Sequence, residues 1–253
     1  MIRGVLLDLA GVLYVGEEPL PGGVDAVERL HRAGLPTRYI TNTTRSTSAA
    51  IVDRLARMGL SIPSDSLFTA PLAARAYAEA RGLRPYLLIH PQLEPEFQAF
   101  KHGPHNAVLV GDAGQAFTYE ALNRAFRLLL EGAPLLAMGN NRYFKEAAGF
   151  SLDVGPFVVA LEYAANTRAI VLGKPAPEFF HAALADLGCA AAEVVMVGDD
   201  AVADVVGALS AGLQGILVKT GKYRPGDEDQ IRGPRACTLA DISAAVDWIL
   251  EHR

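Results

Sequence analysis

The sequence predicts an α/β fold in which a largely parallel sheet forms one domain and a smaller α/β domain is inserted into it. Short apolar runs, often β-branched, alternate along all 253 residues with segments that have helical spacing. Several runs end in polar clusters, and about half of the chain separates the first two clusters from the last two. A parallel sheet can bring such distant clusters together only if the intervening stretch is a separate insertion.

Each predicted strand is a short apolar run of the kind that is buried on both faces of a sheet. The runs cover residues 5–7, 39–40, 86–89, 107–110, 135–136, 170–172, 194–197 and 216–218. Helices are predicted where apolar residues recur every three or four positions. These residues are Val24, Val27 and Leu30; Ile51, Leu55 and Met58; Leu122, Phe126 and Leu129; Val202, Val206 and Leu209; and Val246, Ile249 and Leu250.

The polar clusters fix the predicted domain boundaries. They follow four of the strands, at Asp8 and at residues 41–43, 173–175 and 198–200. Ligands of a parallel sheet bind beyond the carboxyl ends of its strands, so these four loops are expected to meet at one site. We therefore assign residues 1–78 and 170–253 to the sheet domain and residues 79–169 to the insertion.

Composition and charge argue against several classes of partner. The chain is 51% apolar and 20% charged, has a net charge of −5 and contains no block of Lys or Arg, so neither nucleic acid nor a membrane is an expected partner. The apolar runs are far shorter than the roughly 20 residues of a membrane span, and no secretory signal precedes Asp8. A cytoplasmic location is expected, in which Cys189 and Cys237 fill apolar space.

The carboxylates at two strand ends are candidates for catalysis and for metal binding. Asp8 directly follows an apolar strand, where a carboxylate is costly unless it has a partner, although it can also simply cap a turn. Asp199, Asp200 and Asp204 cluster at a strand-to-helix junction, where they would repel one another unless a cation lay among them. Mg²⁺ suits such an oxygen-rich site. Helix capping can explain one of these three residues but not all of them.

Two further clusters are candidates for binding an anion. Thr41, Asn42 and Thr43 offer hydroxyls, an amide and backbone N–H groups close to a predicted helix start at Ser46, although a Thr-rich cap has the same composition. Lys174 lies in a turn that Pro175 makes rigid, where its ammonium group can offset phosphate charge, although a surface lysine is the simpler explanation. The joint pattern at four strand ends favours the functional interpretation of each cluster.

These four clusters resemble the ordered motifs of the haloacid dehalogenase superfamily. The matching segments are residues 8–12, 41–42, 173–175 and 198–204. An insertion between the second and third motifs is similar to that of the class IIA phosphatases of this superfamily. The resemblance implies a Rossmann-like parallel-sheet core domain with an inserted smaller α/β cap domain of the C2 type, and a phosphatase activity.

The resemblance also implies a role for the matched residues. Asp8 would be the nucleophile that accepts the phosphoryl group as an aspartyl phosphate. Asp199 would bind Mg²⁺ directly and Asp204 through water, with Asp8 and the backbone carbonyl of Ala10 completing the metal site. The phosphoryl oxygens would be held by Thr41, Asn42 and Lys174. Asp200 would either bind the metal or support a residue that binds it, and the resemblance does not decide between these two roles.

A subgroup of this class, which acts on phospholysine, phosphohistidine and inorganic pyrophosphate, is the most similar. Residues 198–204, 219–228 and 152–157 carry that resemblance. In the last segment Asp153 and Gly155 are candidates for contacting the substrate, with an ordinary strand-to-helix connection as the alternative. Resembling proteins often dimerise through the cap, so a homodimer is an expectation. The substrate would be a phosphorylated small molecule or a phosphorylated side chain.

Ala10 is a departure from the superfamily pattern. Most of its phosphatases have an aspartate at this position, which acts as general acid and then as general base. General acid–base catalysis contributes about 10²–10⁴-fold, and its loss matters most when the leaving group is poor. We therefore expect a slow enzyme that favours phosphoramidates, pyrophosphate, and acyl or aryl phosphates. His90, His102 and His105 could replace the missing group, although surface positions explain each of them as well.

Other functions are compatible with parts of this pattern. Ala10 could mark a protein that binds phosphorylated ligands without turning them over. A dehalogenase would not need the cation that Asp199 and Asp204 imply, and a phosphomutase would depend on the missing acid–base residue. A dinucleotide-binding oxidoreductase would require Gly-x-Gly-x-x-Gly after the first strand, and the sequence lacks it there.

Overall fold

The computed structural model describes residues 1–146, 149–185 and 187–253, which form two compact units. The first unit comprises Met1–Thr41, Ser48–Phe68 and Lys174–Arg253. The second comprises Asn42–Thr47 and Thr69–Gly173. It therefore contains all of the predicted insertion, residues 79–169, and extends beyond that insertion at both ends.

Strands and helices alternate along the chain, as the apolar periodicity predicts. The strands are β1 (Gly4–Asp8), β2 (Tyr14–Val15), β3 (Glu18–Pro19), β4 (Thr37–Thr41), β5 (Leu67–Thr69), β6 (Pro85–Leu88), β7 (Ala107–Val110), β8 (Leu135–Ala137), β9 (Tyr143–Glu146), β10 (Gly149–Leu152), β11 (Ile170–Val171), β12 (Val194–Gly198), β13 (Gln214–Val218) and β14 (Ala236–Leu239). The α-helices are α1 (Gly23–Arg32), α2 (Ser48–Arg57), α3 (Ala70–Ala80), α4 (Tyr119–Leu130), α5 (Val154–Ala165), α6 (Pro177–Leu184), α7 (Gly207–Ser210) and α8 (Ile242–Glu251).

A six-stranded sheet with the order β14-β13-β12-β1-β4-β5 forms the centre of the first unit. Strand β1 pairs in parallel with β12 on one side and with β4 on the other. Every residue of β1 and of β12 is buried, as expected for strands covered on both faces. The predicted α/β class, with a parallel sheet as its core, is confirmed.

Helices cover this sheet through apolar residues at helical spacing. Helix α1 buries Ala26, Val27 and Leu30 in the main core, while its polar residues face outward. Helix α8 begins where the side chain of Asp241 accepts a hydrogen bond from the Ala244 N–H, which satisfies one of the free amides of the first turn. Within the described residues, no helix is long and apolar enough to cross a membrane.

The second unit is built on a smaller sheet with the strand order β11-β8-β7-β6. Strand β8 pairs in parallel with β11 and β7, and β7 pairs in parallel with β6. Strands β9 and β10 form a separate antiparallel pair. Helices α4 and α5 cover the sheet and share one apolar core with it. Strand β6 is the last strand in this order and, within the described residues, pairs only with β7, so its other side is an edge of the sheet.

One predicted strand belongs to a different sheet. We expected residues 170–172 to join the larger sheet, but Ile170–Val171 pairs with β8 in the smaller one. The first unit resumes only at Lys174. The physical reason is that a short apolar run does not specify its pairing partner, which depends on which sheet has a free edge next to it.

Candidate active site

The candidate active site lies at the carboxyl ends of β1 and β12. Asp8 is the last residue of β1, and Asp199 follows Gly198 at the end of β12. Because Leu7 pairs with Val197, the two strands end side by side and present both carboxylates at the same edge of the sheet. Both residues are buried.

A buried lysine connects two of the acidic residues. The Nζ atom of Lys174 lies 2.5 Å from Asp8 Oδ1 and 2.6 Å from Asp204 Oδ1. Lys174 is only 4% exposed and Asp204 only 1% exposed, so both ion pairs are shielded from water. Charge-assisted hydrogen bonds of this length are strong and fix the position of the ammonium group next to Asp8.

The cluster nevertheless carries more negative than positive charge. Oxygen atoms of Asp8, Asp199 and Asp204 all lie within 4.8 Å of one another. Burial, followed by the charges of Asp8 and Asp204, raises the pKa of Asp199 to about 8. Burial also raises the pKa of Asp204 to about 6, although the charge of Lys174 opposes this shift. A bound divalent cation would remove this repulsion, so the three carboxylates fit a metal site.

The surroundings also raise the pKa of Lys174, which favours the charged form of the lysine, whereas the raised pKa values of Asp199 and Asp204 favour their neutral forms. Burial alone would lower the pKa of its ammonium group, but the charges and hydrogen bonds of Asp204 and Asp8 outweigh burial and raise it. The side chain therefore stays charged throughout the physiological pH range. A permanent positive charge at this place can neutralise part of a phosphate group.

The loop that follows β13 contacts the Asp199 carboxylate and fixes its position. The backbone N–H of Lys222 donates to Asp199 Oδ2 at 2.6 Å, and the Thr220 hydroxyl donates to the Gly11 carbonyl. A Cβ atom at either Gly11 or Gly221 would collide with the Asp199 carboxylate, and both residues have positive φ. Only glycine fits these two positions without moving the carboxylate.

These loop residues were not among the predicted site residues. The run 219–228 entered the sequence analysis only through its resemblance to a subgroup of phosphatases. Thr220 and Gly221 come shortly after β13, an apolar strand that neighbours β12. Their position after a strand could have identified this loop as part of the site. The same argument identified Asp8 and Asp199, so the loop after β13 could have been included.

Asp200 has a capping role that separates it from its acidic neighbours. Its Oδ1 atom accepts hydrogen bonds from the N–H groups of Val202 and Ala203 at the start of a π-helix, Ala201–Val206. Asp204 lies within this helix, and its Oδ2 atom accepts from the Asp200 N–H. Capping thus explains Asp200, whereas Asp199 and Asp204 lie in the buried cluster with Asp8.

The predicted phosphate-binding segment is divided between the two units. Thr41 is the buried last residue of β4, which neighbours β1 in the first unit. Asn42 and Thr43 belong to the second unit, where a Cβ atom on Gly173 would collide with the side-chain oxygen of Asn42. The helix that follows begins at Ser48, two residues later than predicted.

The remaining predicted site residues have clear local structures. In the second unit, Asp153 is the N-cap of α5, and Gly155 packs so closely on the carbonyls of Asn140 and Asn141 that no Cβ atom fits. This is a strand-to-helix connection, and contact with substrate stays a prediction. In the first unit Ala10 is exposed. Its carbonyl as a metal ligand also stays a prediction.

A parallel α/β sheet with a second inserted unit, and with a buried acid–lysine cluster at its strand ends, defines a class of phosphoryl-processing hydrolases. Two family profiles match the chain, "Haloacid dehalogenase-like hydrolase" over residues 5–101 and "HAD-hydrolase-like" over residues 171–245. The chain belongs to the haloacid dehalogenase-like hydrolase family. The resemblance predicted from the sequence is thereby confirmed.

Similar proteins agree with this assignment over the whole chain. Haloacid dehalogenase-like hydrolase domain-containing protein 2 of Bos taurus is 44% identical, covering 99% of this chain and 97% of its own. Phospholysine phosphohistidine inorganic pyrophosphate phosphatase of Danio rerio is 45% identical, covering 100% and 96%. The crystal structure of 4-nitrophenylphosphatase from Thermotoga maritima is 26% identical with a TM-score of 0.88, covering 97% of each chain. The chain is a phosphatase of this family.

Proposed function

We propose that this protein is a Mg²⁺-dependent phosphohydrolase that passes a phosphoryl group through Asp8 and prefers activated phosphoryl donors. The observation that carries the proposal is the buried cluster in which Asp8, Asp199 and Asp204 converge and Lys174 contacts two of them. Such a cluster is costly to bury and has no evident structural purpose at the edge of a sheet.

The acidic residues would hold the metal. Asp8 and Asp199 would provide direct carboxylate ligands, Asp204 would act through water, and the carbonyl of Ala10 would complete the protein ligands. Bound Mg²⁺ supplies positive charge that neutralises phosphoryl oxygens. The loop that contains Gly221 would keep the Asp199 carboxylate in place for this purpose.

The chemistry of Asp8 follows from its position next to Lys174. In the first step a carboxylate oxygen of Asp8 bonds to phosphorus, the bond from phosphorus to the leaving oxygen or nitrogen breaks, and the leaving group takes a proton from water. In the second step water attacks phosphorus, the bond to Asp8 breaks, and phosphate leaves while the proton of the water passes to solvent. Lys174 would bind phosphoryl oxygens in both steps.

Other predicted residues would orient the substrate. Thr41, Asn42 and Thr43 would donate hydrogen bonds to the phosphoryl group, since positioning accounts for much of the catalysis of phosphoryl transfer. In the second unit Asp153 and Gly155 would contact the part of the substrate beyond the phosphate. The substrate would be a phosphorylated small molecule or a phosphorylated protein side chain.

Ala10 supports the preference for activated donors. A methyl group cannot protonate a leaving alkoxide, so alkyl and sugar phosphates would react slowly. Phosphoramidates, pyrophosphate, and acyl or aryl phosphates depend less on such help. The names of two similar proteins, a phospholysine phosphohistidine inorganic pyrophosphate phosphatase and a 4-nitrophenylphosphatase, agree with this preference.

The same residue favours one alternative function. With Ala10 in place of a general acid, the protein could bind phosphorylated ligands in its acid–lysine site without useful turnover. It would then respond to phosphate and Mg²⁺ in binding experiments but release no product. Turnover experiments therefore decide between the two functions.

Partners and location are further proposals. We expect a cytoplasmic protein that binds neither nucleic acid nor membranes, consistent with its net charge of −5. We also expect a homodimer formed through the second unit. Val159 and Tyr163, one helical turn apart on α5, are 54% and 90% exposed, which supports a self-association surface there. Light scattering after gel filtration would measure the mass.

The decisive experiment measures phosphate release from 4-nitrophenyl phosphate, pyrophosphate, a phosphoramidate and a sugar phosphate, with Mg²⁺ and with chelator. The wild-type protein and Asp8→Asn are compared in parallel. Release that requires Mg²⁺ and disappears in Asp8→Asn is the expected result. The aryl phosphate, the pyrophosphate and the phosphoramidate should react faster than the sugar phosphate.

Two outcomes would contradict the proposal. Equal rates on sugar and aryl phosphates would refute the preference for activated donors. No release from any substrate, by a folded protein that binds Mg²⁺, would favour the binding function. Circular dichroism of Asp8→Asn serves as the folding control.

A further inference from the structure

A cavity of about 400 Å³ lies in the second unit and involves none of the predicted catalytic residues. It is bounded by strand β6, by the 3₁₀-helical segment Pro91–Phe100 and by helix α4. Its volume falls within the range of small-molecule sites in proteins. The lining residues are Tyr86, Leu87, Leu88, Ile89, Pro91, Glu94, Phe100, Lys101, His105, Ala116, Ala121 and Arg124.

This lining combines apolar and polar side chains. Leu88, Ile89 and Phe100 are buried and form part of the wall. On the helix side Ala116 and Ala121 contribute only methyl groups, which leaves space that larger side chains would fill. A ligand of this cavity would therefore have an apolar part that packs on these residues and polar groups that meet the charged side chains.

One cation at the cavity lacks a carboxylate partner. Within the described residues, Arg124 forms no ion pair, and its guanidinium group lies 4.8 Å from the centre of the Tyr86 ring. Lys101, by contrast, is neutralised by Glu94 at 2.7 Å. The cavity thus has a surplus positive charge at Arg124, in a geometry that leaves guanidinium N–H groups available for an anion.

Strand β6 and a second aromatic ring add to the groups at the cavity. The ring of His105 lies edge-on to Tyr86 with centroids 5.6 Å apart, so both rings contribute aromatic surface to the wall. Strand β6 is an edge, and Leu88 uses its carbonyl to bond β7. Because alternate residues of a strand face opposite sides, the backbone groups of Leu87 point away from β7.

We infer that this cavity binds a small hydroxylated aromatic carboxylate. The carboxylate would pair with Arg124, the apolar ring would occupy the space beside Ala121 and Phe100, and the hydroxyl group would reach the backbone of Leu87. The site would differ in composition from the phosphoryl site, since it combines apolar side chains with Arg124, a cation without an ion-pair partner in the described part of the chain, whereas the phosphoryl site contains three carboxylates.

The test uses 6-hydroxy-2-naphthoate as the probe and calorimetry on the full chain. Saturable binding to the wild-type protein is expected, weakened at least about 10-fold in Arg124→Gln because a charge-assisted pair is lost. Arg127→Gln is the matched control, since Arg127 is exposed on the same helix but does not line the cavity. The neutral alcohol analogue of the probe should bind weakly and equally to all three proteins.

A second variant tests the cavity independently of charge. Ala121→Phe would fill the space and abolish binding of the probe, while melting curves check that the protein stays folded. Hydrolysis of aryl phosphate should be unchanged in Arg124→Gln. Absence of binding to the wild type, equal binding to Arg124→Gln, or displacement of the probe by inorganic phosphate with Mg²⁺ would each overturn the inference.

Discussion

Two buried aspartates, one in each unit, have very different surroundings. In the second unit Asp112 accepts a hydrogen bond from Arg45 Nε at 2.6 Å and another from the Gly114 N–H, so its charge is neutralised. In the first unit Asp199 is also buried but lies beside Asp8 and Asp204, and the backbone N–H of Lys222 donates a hydrogen bond to it. The charge of Asp112 is thus offset by a neighbouring cation, whereas Asp199 lies beside two further carboxylates.

The difference shows how a structural carboxylate can be told from a functional one. Three carboxylates and one ammonium group leave a formal surplus of two negative charges in the cluster of the first unit. Ionisable groups whose pKa values are strongly perturbed by burial and by like charges occur mainly at functional sites. The pair of Arg45 and Asp112 needs no ligand. Five predictions test this contrast, beginning with the largest expected effect.

The first prediction compares an Asp→Asn substitution in the acidic cluster with the same substitution in the pair of Arg45 and Asp112. Asp8→Asn should lower phosphate release at least about 10³-fold, because an amide cannot act as the nucleophile. Asp112→Asn should change the rate less than about 10-fold under conditions where the protein is folded. Initial rates with 4-nitrophenyl phosphate and Mg²⁺ provide the comparison, and similar losses in both variants would contradict it.

The second prediction restores the carboxylate that the family pattern contains. Ala10→Asp should accelerate hydrolysis of a sugar phosphate by about 10²-fold, since a general acid contributes about 10²–10⁴-fold. The exposed position of Ala10 leaves room for the longer side chain. Rates on aryl phosphate should rise much less. Ala10→Asn is the matched control, and an equal gain in that variant would exclude acid catalysis as the cause.

The third prediction concerns affinity for metal. Mg²⁺ at about 100 times its Kd should stabilise the wild type by about 2.7 kcal/mol, which raises Tm by roughly 5–10 °C in a protein of this size. In Asp199→Asn this shift should largely disappear, whereas Asp112→Asn should retain it. Melting curves with Mg²⁺ and with chelator measure the effect. A full shift in Asp199→Asn would remove that residue from the metal site.

The fourth prediction is the pH dependence of the metal-free protein. The raised pKa values of Asp199, about 8, and Asp204, about 6, mean that the folded state binds more protons than the unfolded state between about pH 4 and 8. Stability in chelator should therefore fall as pH rises through this window, and Mg²⁺ should suppress the fall. A Tm that increases between pH 5 and 8 in chelator would contradict these pKa directions.

The fifth prediction concerns stability in the second unit. Asp112→Asn should lower the free energy of unfolding by about 1–3 kcal/mol, because Arg45 loses a buried charged partner. The loss should be equal with and without Mg²⁺. Glu79→Gln, which weakens an exposed pair with Arg75 at 3.7 Å, should cost less than about 0.5 kcal/mol. Urea unfolding of both variants tests this difference.

Local sequence signals predicted much of the fold. The runs at β1, β7 and β12 were found because a strand buried on both faces must be almost wholly apolar. Helices α3, α5 and α6 were missed, since alanine, phenylalanine and valine occur on several of their faces and blur the helical period. The hairpin of β9 and β10 was also missed, because it has little apolar alternation.

Sequence signals identified some residues of the candidate active site and missed others. Asp8, Asp199, Asp204 and Lys174 were found because each follows an apolar run, and the structure brings them together. Gly221 was missed because glycine has no side chain that could act chemically; its effect on Asp199 comes from the space that it leaves beside the carboxylate. Asp200 could not be distinguished from its neighbours until its hydrogen bonds were known.

The sequence alone determined the α/β class, the acidic and lysine residues at strand ends, and the family, because each of these depends on local composition and order. Tertiary structure alone decided that Ile170–Val171 pairs with the smaller sheet. It also decided that Asp199 faces two other carboxylates while Asp112 faces Arg45. These outcomes depend on which distant residues share a buried space, and that is set by packing and charge in the folded chain.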